Sequence, residues 1–328
     1  MKNWELDCAV LCIFFARPKQ FARVFEQVKK AKPRVLLLWQ DGPRENRQDD
    51  IENIKKCREI AEDIDWECEV HKNYHDKNMG CDPSTHLSHK WAFSIVDKCI
   101  ILEDDLVPSQ SFFRFCKEML DKYENDTRIC RICCTNLLGK YDIPYDYFFA
   151  VSGNSHGWAS WRRVADTWET DYDFLNDDYT VSCIKGGGTD NKFQNKWLEV
   201  CKIRKNSGIP YWEEIVGAST ICQSQLVIYP SKNLITNAGI DANSTHAPSE
   251  IKMLPKKVQK LFGIQKYELE FPLKAPPYVI ADPVFIHKCR EIFKLNMFDR
   301  ISGIINKFKY KGFKYTLNSI GKKIRRKS

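Results

Sequence analysis

The chain has 328 residues, 43% hydrophobic and 12% aromatic, with 14 cysteines and a net charge of +8. It can bury the core of one large α/β domain with an appendage, or of two domains. The first apolar run, "CAVLCIFFA", is too short to span a bilayer, and "MKNWELDC" carries no apolar leader, so reduced thiols in a cytoplasm are expected, not a secreted disulfide framework.

Residues 8–15, "CAVLCIFF", are apolar without alternation and read as a buried strand. "ARPKQ" breaks it, and Phe21, Val24, Phe25 and Val28 then recur at helical spacing. A second strand, 34–40, ends in the Gly- and Pro-punctuated turn "DGPR". The helix after it carries Ile51, Ile54, Ala61 and Ile64 on one face. "WECEVH", 66–71, is a shorter, alternating strand. Beyond the loop "KNYHDKNMGCDPS", Leu87, Trp91 and Ile95 mark a third helix that leads into a fourth strand, "CIILE", 99–103. Four such alternations predict right-handed crossovers and a parallel sheet flanked by helices.

Past residue 115 the pattern loosens. "RICCTNLL" is a candidate strand, 189–206 a helix and 224–230 a further strand. Cys130, Cys133 and Cys134 lack a second close pair of ligands, so a buried strand end is expected there instead of a zinc site. Trp158 and Trp161 are expected in the core. The chain divides into a catalytic domain at 1–250, a Pro-rich connector at 251–283 and a tail at 284–328. In the tail 13 Lys and Arg face only Glu291 and Asp299, which leaves the first 283 residues at about −3.

In parallel sheets ligands bind beyond the carboxyl ends of the strands. The polar residues at those ends are Arg17, Asp41 and the triplet Glu103, Asp104 and Asp105. Adjacent carboxylates repel one another unless something binds them. Mg²⁺ or Mn²⁺ would do so, held by one or two carboxylates plus a substrate's phosphates. The residues alone leave open an acidic turn that caps the helix after Pro108, with Ser109 and Ser111 as capping candidates.

"IILEDDLVPSQSFF" resembles the metal-binding segment of GT-A glycosyltransferases, in particular Golgi N-acetylglucosaminyltransferase I and similar bacterial enzymes. In order, "FFARPKQFARV" resembles their first strand-to-helix turn, "WQDGPR" the second, "YWEEIV" the Trp-acid-acid base segment and "NAGIDANSTHA" the late Ser/His loop. "HGWASWRR" is similar to the Gly-Trp-Ala segment of the bacterial relatives. The resemblance covers roughly residues 8–247 and implies a Rossmann-like GT-A fold with a mixed, mostly parallel sheet.

Residue by residue, the resemblance gives Asp105 the metal, Mn²⁺ or Mg²⁺, with Glu103 and Asp104 beside the ribose and the metal's waters. Asp41 would bind the uracil with Arg17 in support, and Ser244 and His246 would close on the diphosphate. Glu213 or Glu214 would be the base, with Glu213 preferred. Here the chain departs from the family, whose acids after the Trp are an Asp pair. The implied function is metal-dependent inverting transfer from a UDP-sugar, possibly UDP-GlcNAc, to a glycan acceptor, lipid-linked, in bacterial surface polysaccharide synthesis. The alternatives are a sugar nucleotidyltransferase, although "ARPKQ" lacks the glycine-rich loop usual there, and an inactive membrane-bound scaffold.

In the tail, Leu295, Phe298, Ile301, Ile305 and Phe308 recur at helical spacing, as do Phe313, Leu317, Ile320 and Ile324, with Lys and Arg between them. A basic amphipathic helix of this kind suits an anionic membrane surface, here the inner membrane's cytoplasmic face. Nucleic acid is not an expected partner, since no recognition motif accompanies the basic patch.

Overall fold

The strand–helix alternation of the first hundred residues builds one half of an eight-stranded mixed sheet. The computed structural model describes residues 4–187, 191–238, 252–259, 263–294, 296–299, 301–310 and 312. In it β1 (Ala9–Phe14), β2 (Val35–Gln40), β3 (Glu69–Tyr74) and β4 (Lys98–Glu103) run parallel in the order β3-β2-β1-β4. They are joined by α1 (Pro18–Ala31), α2 (Gln48–Ala61) and α3 (Cys81–Ile95). The third strand starts three residues later than "WECEVH" suggests. Trp66 instead anchors the preceding turn by donating from Nε1 to Pro33 O at 2.8 Å.

Both faces of β1, β2 and β4 are covered, which is why these strands do not alternate in sequence, whereas the edge strand β3 is polar and only partly buried. Val10, Cys12, Phe14, Leu36, Leu38, Ile100 and Leu102 pack with α1, α2 and α4 (Gln110–Lys122). Leu11, Leu37, Trp39, Cys99 and Ile101 pack on the other face, with α3 and α8 (Trp212–Cys222). α1 forms because Pro18 suits the first helical turn, Phe21, Val24, Phe25 and Val28 share a buried face, and Lys29 and Lys30 meet the negative end of the helix.

The second half is β6 (Ile129–Cys133), β7 (Tyr147–Ala150), β8 (Trp158–Trp161) and β9 (Leu226–Pro230). The full order is β3-β2-β1-β4-β8-β6-β9-β7, with β8 antiparallel to both its neighbours and β6 parallel to β9. Cys130, Cys133, Cys134, Trp158 and Trp161 are buried, as expected of core residues. β5 (Leu106–Pro108) pairs with β10 (Ile235–Asn237) in a separate antiparallel ribbon beyond the end of β4. Between β8 and α8 lie α5 (Arg162–Ala165), α6 (Asp178–Gly186) and α7 (Asn191–Ser207).

Residues 263–286 do not behave as a free connector. Leu269, Phe285 and Ile286 are buried, and Phe271 and Leu273 pack against the main core. Phe285 sits against Phe148, Tyr229 and Tyr141, with ring centroids at 4.6, 4.9 and 5.4 Å. Glu268 accepts from the backbone N–H groups of Gln110 and Ser111 at 3.0 and 2.7 Å, so it caps α4 in place of Ser109 and Ser111. The Pro-rich composition hid a segment whose apolar side chains fill the body, and the boundary expected at 283/284 falls inside packed structure.

Candidate active site

The sheet order reverses between β1 and β4, because the chain leaves β1 toward β2 and β3 and returns on its other side. Crevices at such switch points, outside the carboxyl ends of the strands, are the usual ligand sites of open α/β sheets. Arg17 follows β1 here, and Glu103, Asp104 and Asp105 end β4, so the structure brings these four together. Hollows of about 840 and 820 Å³ lie elsewhere, between α1 and α2 and at the amino ends of β1 to β3.

The three acids have different surroundings. Asp104 is buried, accepts from Phe15 N–H at 3.1 Å and pairs with Arg17 Nη2. Its carboxylate ties the ends of β1 and β4 together and aims Arg17. Asp105 is partly exposed and takes Arg17 Nη1 on Oδ2 at 2.8 Å. Burial alone would lower the Arg17 pKa, but Asp104 and Asp105 outweigh it and push it up, so the guanidinium stays charged. Burial, then the charges of Asp105 and Asp104, push Glu103 up to about 8, with Glu213 adding to the repulsion. The first turn of α8 is thereby in electrostatic contact with the triplet.

Within that turn the two candidate bases diverge. Glu213 is exposed and, among the described residues, has no ion-pair partner. Glu214 is partly buried and lies 3.8 Å from Arg204 Nη2. Burial raises the Glu214 pKa against the opposing charge of Arg204. Trp212 between β8 and α3 fixes the turn, stacked 6.1 Å from Trp158 and edge-on to His89 at 4.9 Å.

Asp41 does not face the crevice with a free carboxylate. It accepts from Gly42 N–H at 2.9 Å, Met79 N–H at 3.0 Å, Gly80 N–H at 3.2 Å and Asn78 Nδ2 at 3.0 Å. It is 7% exposed, and burial raises its pKa despite these donors. Asp41, expected to read a uracil, latches the loop that starts α3. Gly42 is required beside it, because a Cβ there would collide with the backbone of Asp76 and Lys77. Ser244 and His246 lie outside the described residues; the last one before them, Ala238, donates to Asp105 C=O at 2.6 Å.

Among the described residues no three His, Cys, Asp or Glu side chains converge to cage a metal. Asp105 still fits a hard ion that draws its remaining ligands from phosphates and water. Its Oδ1 accepts no hydrogen bond among the described residues, and it stands in an acidic cluster whose repulsion a cation would relieve.

Sequence reading missed the contribution of α3. Its buried face is polar, with Ser84, Thr85, His86, Ser88 and His89, while Leu87, expected on the apolar face, is 42% exposed. The signal was present in "STHLSH", where two His stand three residues apart between small polar residues. His89 is buried among Trp158, Trp168 and Trp212 with neither ring nitrogen bonded, and burial pushes its pKa down to about 3.

No family model and no curated protein matches the sequence. Among solved structures, the chain is similar to a mannosyltransferase from Pyrobaculum calidifontis in complex with GDP-Man and Mn²⁺, at 10% identity and a TM-score of 0.36, over 67% of this chain and 70% of that one. It is similar to a UDP-glucose pyrophosphorylase complexed with UDP-glucose at the same identity and TM-score, over 71% of this chain and 94% of that one. Likenesses this slight add nothing to the sheet described above.

Proposed function

We propose that the chain is an inverting glycosyltransferase that moves a sugar from a nucleoside diphosphate, a UDP-sugar, to a glycan acceptor. The observation that carries the reading is the acidic cluster at the β1/β4 switch point, where Glu103, Asp104 and Asp105 end β4 beside Arg17, Asp104 and Asp105 both paired to its guanidinium. Such a cluster suits a cation and a diphosphate better than it suits solvent. Arg17 would approach the donor diphosphate from the end of β1. Mn²⁺ or Mg²⁺ bound at Asp105 would offset the charge that develops on the leaving diphosphate. Glu213 would take the proton from an acceptor hydroxyl as its oxygen bonds to the anomeric carbon. The C–O bond to the nucleoside diphosphate breaks on the opposite face and its electron pair leaves with the UDP.

We place the acceptor on a lipid carrier at an anionic membrane face. Support comes from the helical segment 301–310, where Gly303 approaches Pro255 and Asn306 donates to Leu254 O at 3.0 Å, so the segment lies against residues 254–255. Its Ile301, Ile304 and Ile305 remain exposed, as do Met297 and Phe298 before it, among Lys and Arg. Among the described residues no helix is long and apolar enough to cross a membrane.

The test is UDP release from a panel of UDP-sugars, with Mn²⁺ and with EDTA, in the presence of oligosaccharide acceptors. Metal-dependent UDP release with inverted linkage in the product is expected. Pyrophosphate formed from UTP and a sugar phosphate would identify a nucleotidyltransferase instead, and no turnover with any donor would leave a scaffold.

A further inference from the structure

At the end of α7, before the turn into α8, is a cavity of about 400 Å³ lined by His86, Thr170, Asp171, Arg204, Lys205 and the turn Gly208–Pro210. Its size suits a monosaccharide or a similar small group. Nearby, His86 Nδ1 and Arg204 Nε are enclosed by protein and have no hydrogen-bond partner among the described residues. Burial, then the charge of Lys90, pushes His86 down to about 4, so its ring is neutral at neutral pH and adds no charge. The Arg204 guanidinium lies 3.5 Å over the Tyr211 ring, which holds its plane, and Glu214 engages it only at 3.8 Å. Lys205 Nζ donates to Asn176 Oδ1 at 3.0 Å and stands 3.8 Å from Asp173. Asp171 is the one acid in the lining.

A planar fork of donors held flat on a ring, beside a lysine in the same lining, suits a planar or tetrahedral oxyanion. We infer that this cavity binds an anionic group, a carboxylate or a phosphate, and that the group belongs to the acceptor. The acceptor assignment rests on the transferase reading above; the anion binding does not. Arg204 would then meet both Glu214 and the acceptor's anion. A sugar held there would present its hydroxyls to the first turn of α8.

The full chain is titrated by calorimetry, without nucleotide sugar, with glucuronic acid, glucose 1-phosphate and methyl glucoside. At least one anionic probe should bind tenfold or more tightly than methyl glucoside. Glucuronic acid as the tighter probe identifies a carboxylate, and glucose 1-phosphate identifies a phosphate. Arg204→Gln should abolish the preference, and Asp171→Asn should strengthen it severalfold. If circular dichroism shows that Arg204→Gln does not fold, Lys205→Gln takes its place and should weaken the anionic probe alone. Equal binding of neutral and anionic probes, or a preference that survives the cationic substitutions, overturns the inference. Anion binding by a chain that transfers no sugar would sink the transferase reading and leave this site standing. Transfer to neutral acceptors without anion binding would do the reverse.

Discussion

Glu103→Gln should stabilise the fold by an amount that grows with pH. Burial and then the charges of Asp105 and Asp104 push this carboxyl up to about 8 from an ordinary 4.5. Between those two values the folded state binds more protons than the unfolded chain, so stability falls as pH rises through the interval. The Glu103 contribution is therefore full below about pH 4.5 and lost by about pH 8. Each pH unit across the interval is worth about 1.4 kcal/mol, which sets a ceiling of about 5 kcal/mol. Rotation of Arg17 toward Glu103 would reduce that figure. Gln carries no charge at any pH, so in the difference between variant and wild type the other titrations largely cancel. The assay is urea unfolding of both chains from pH 4.5 to 9 in EDTA. The gap should be near zero at the acid end and widen to a few kcal/mol in favour of the variant by pH 8.5. Mn²⁺ should narrow it by stabilising the wild type, since a ligand that binds only the folded state adds to its stability. A gap independent of pH, or a wild type more stable at pH 8.5, would refute the account of the acidic cluster.

Asp105→Asn should fold normally and lose the Mn²⁺-dependent part of UDP-sugar binding, read by calorimetry with and without metal. Glu213→Gln should bind donor about normally and lose at least about a hundredfold in turnover, with Glu214→Gln milder; the reverse order would transfer the base to Glu214. Phe285→Ala should cost about 3–5 kcal/mol in urea unfolding, because the ring is fully enclosed by Phe148, Tyr229 and Tyr141. Truncation after Lys294 keeps that ring in place, so the melting temperature should hold while binding to anionic vesicles is lost; equal sedimentation of both chains would refute the membrane role.

β1, β2 and β4 were legible because burial on both faces leaves unbroken apolar runs, and the turns after β1 and β2 carry Pro or Gly; the polar edge strand β3 was legible only from alternation, which misplaces its start. The triplet was legible because three acids at a strand end are conspicuous. What its members do was not. Asp104 and Asp41 read as ligand contacts, yet each is occupied by backbone amides from elsewhere in the chain, at Phe15 for one and at Met79 and Gly80 for the other. Hydrogen bonds of that kind depend on how close two segments come, which no local pattern encodes. Arg204 went unnoticed for a similar reason, since it reaches Glu214 and Tyr211 from a different helix. The 251–283 segment misled by composition, because irregular backbone can still bury alternate apolar side chains.

The insertion of β8 between β4 and β6 has a consequence during synthesis on the ribosome. β4 ends at Glu103 and β8, its partner on that side, begins only at Trp158, with 54 residues between them. At roughly 5–20 residues per second, the edge of β4 waits about 3–11 s before its partner is even made. That edge is "CIIL", the kind of apolar strand that recruits strands from other chains. Lys98 stands at one end of it and Glu103, Asp104 and Asp105 at the other, where charges discourage foreign pairing. The acids at the crevice thus guard the nascent chain before there is a crevice. Glu103→Gln should accordingly yield more inclusion bodies on rapid expression while giving a more stable folded product, and slower translation should close that difference in yield.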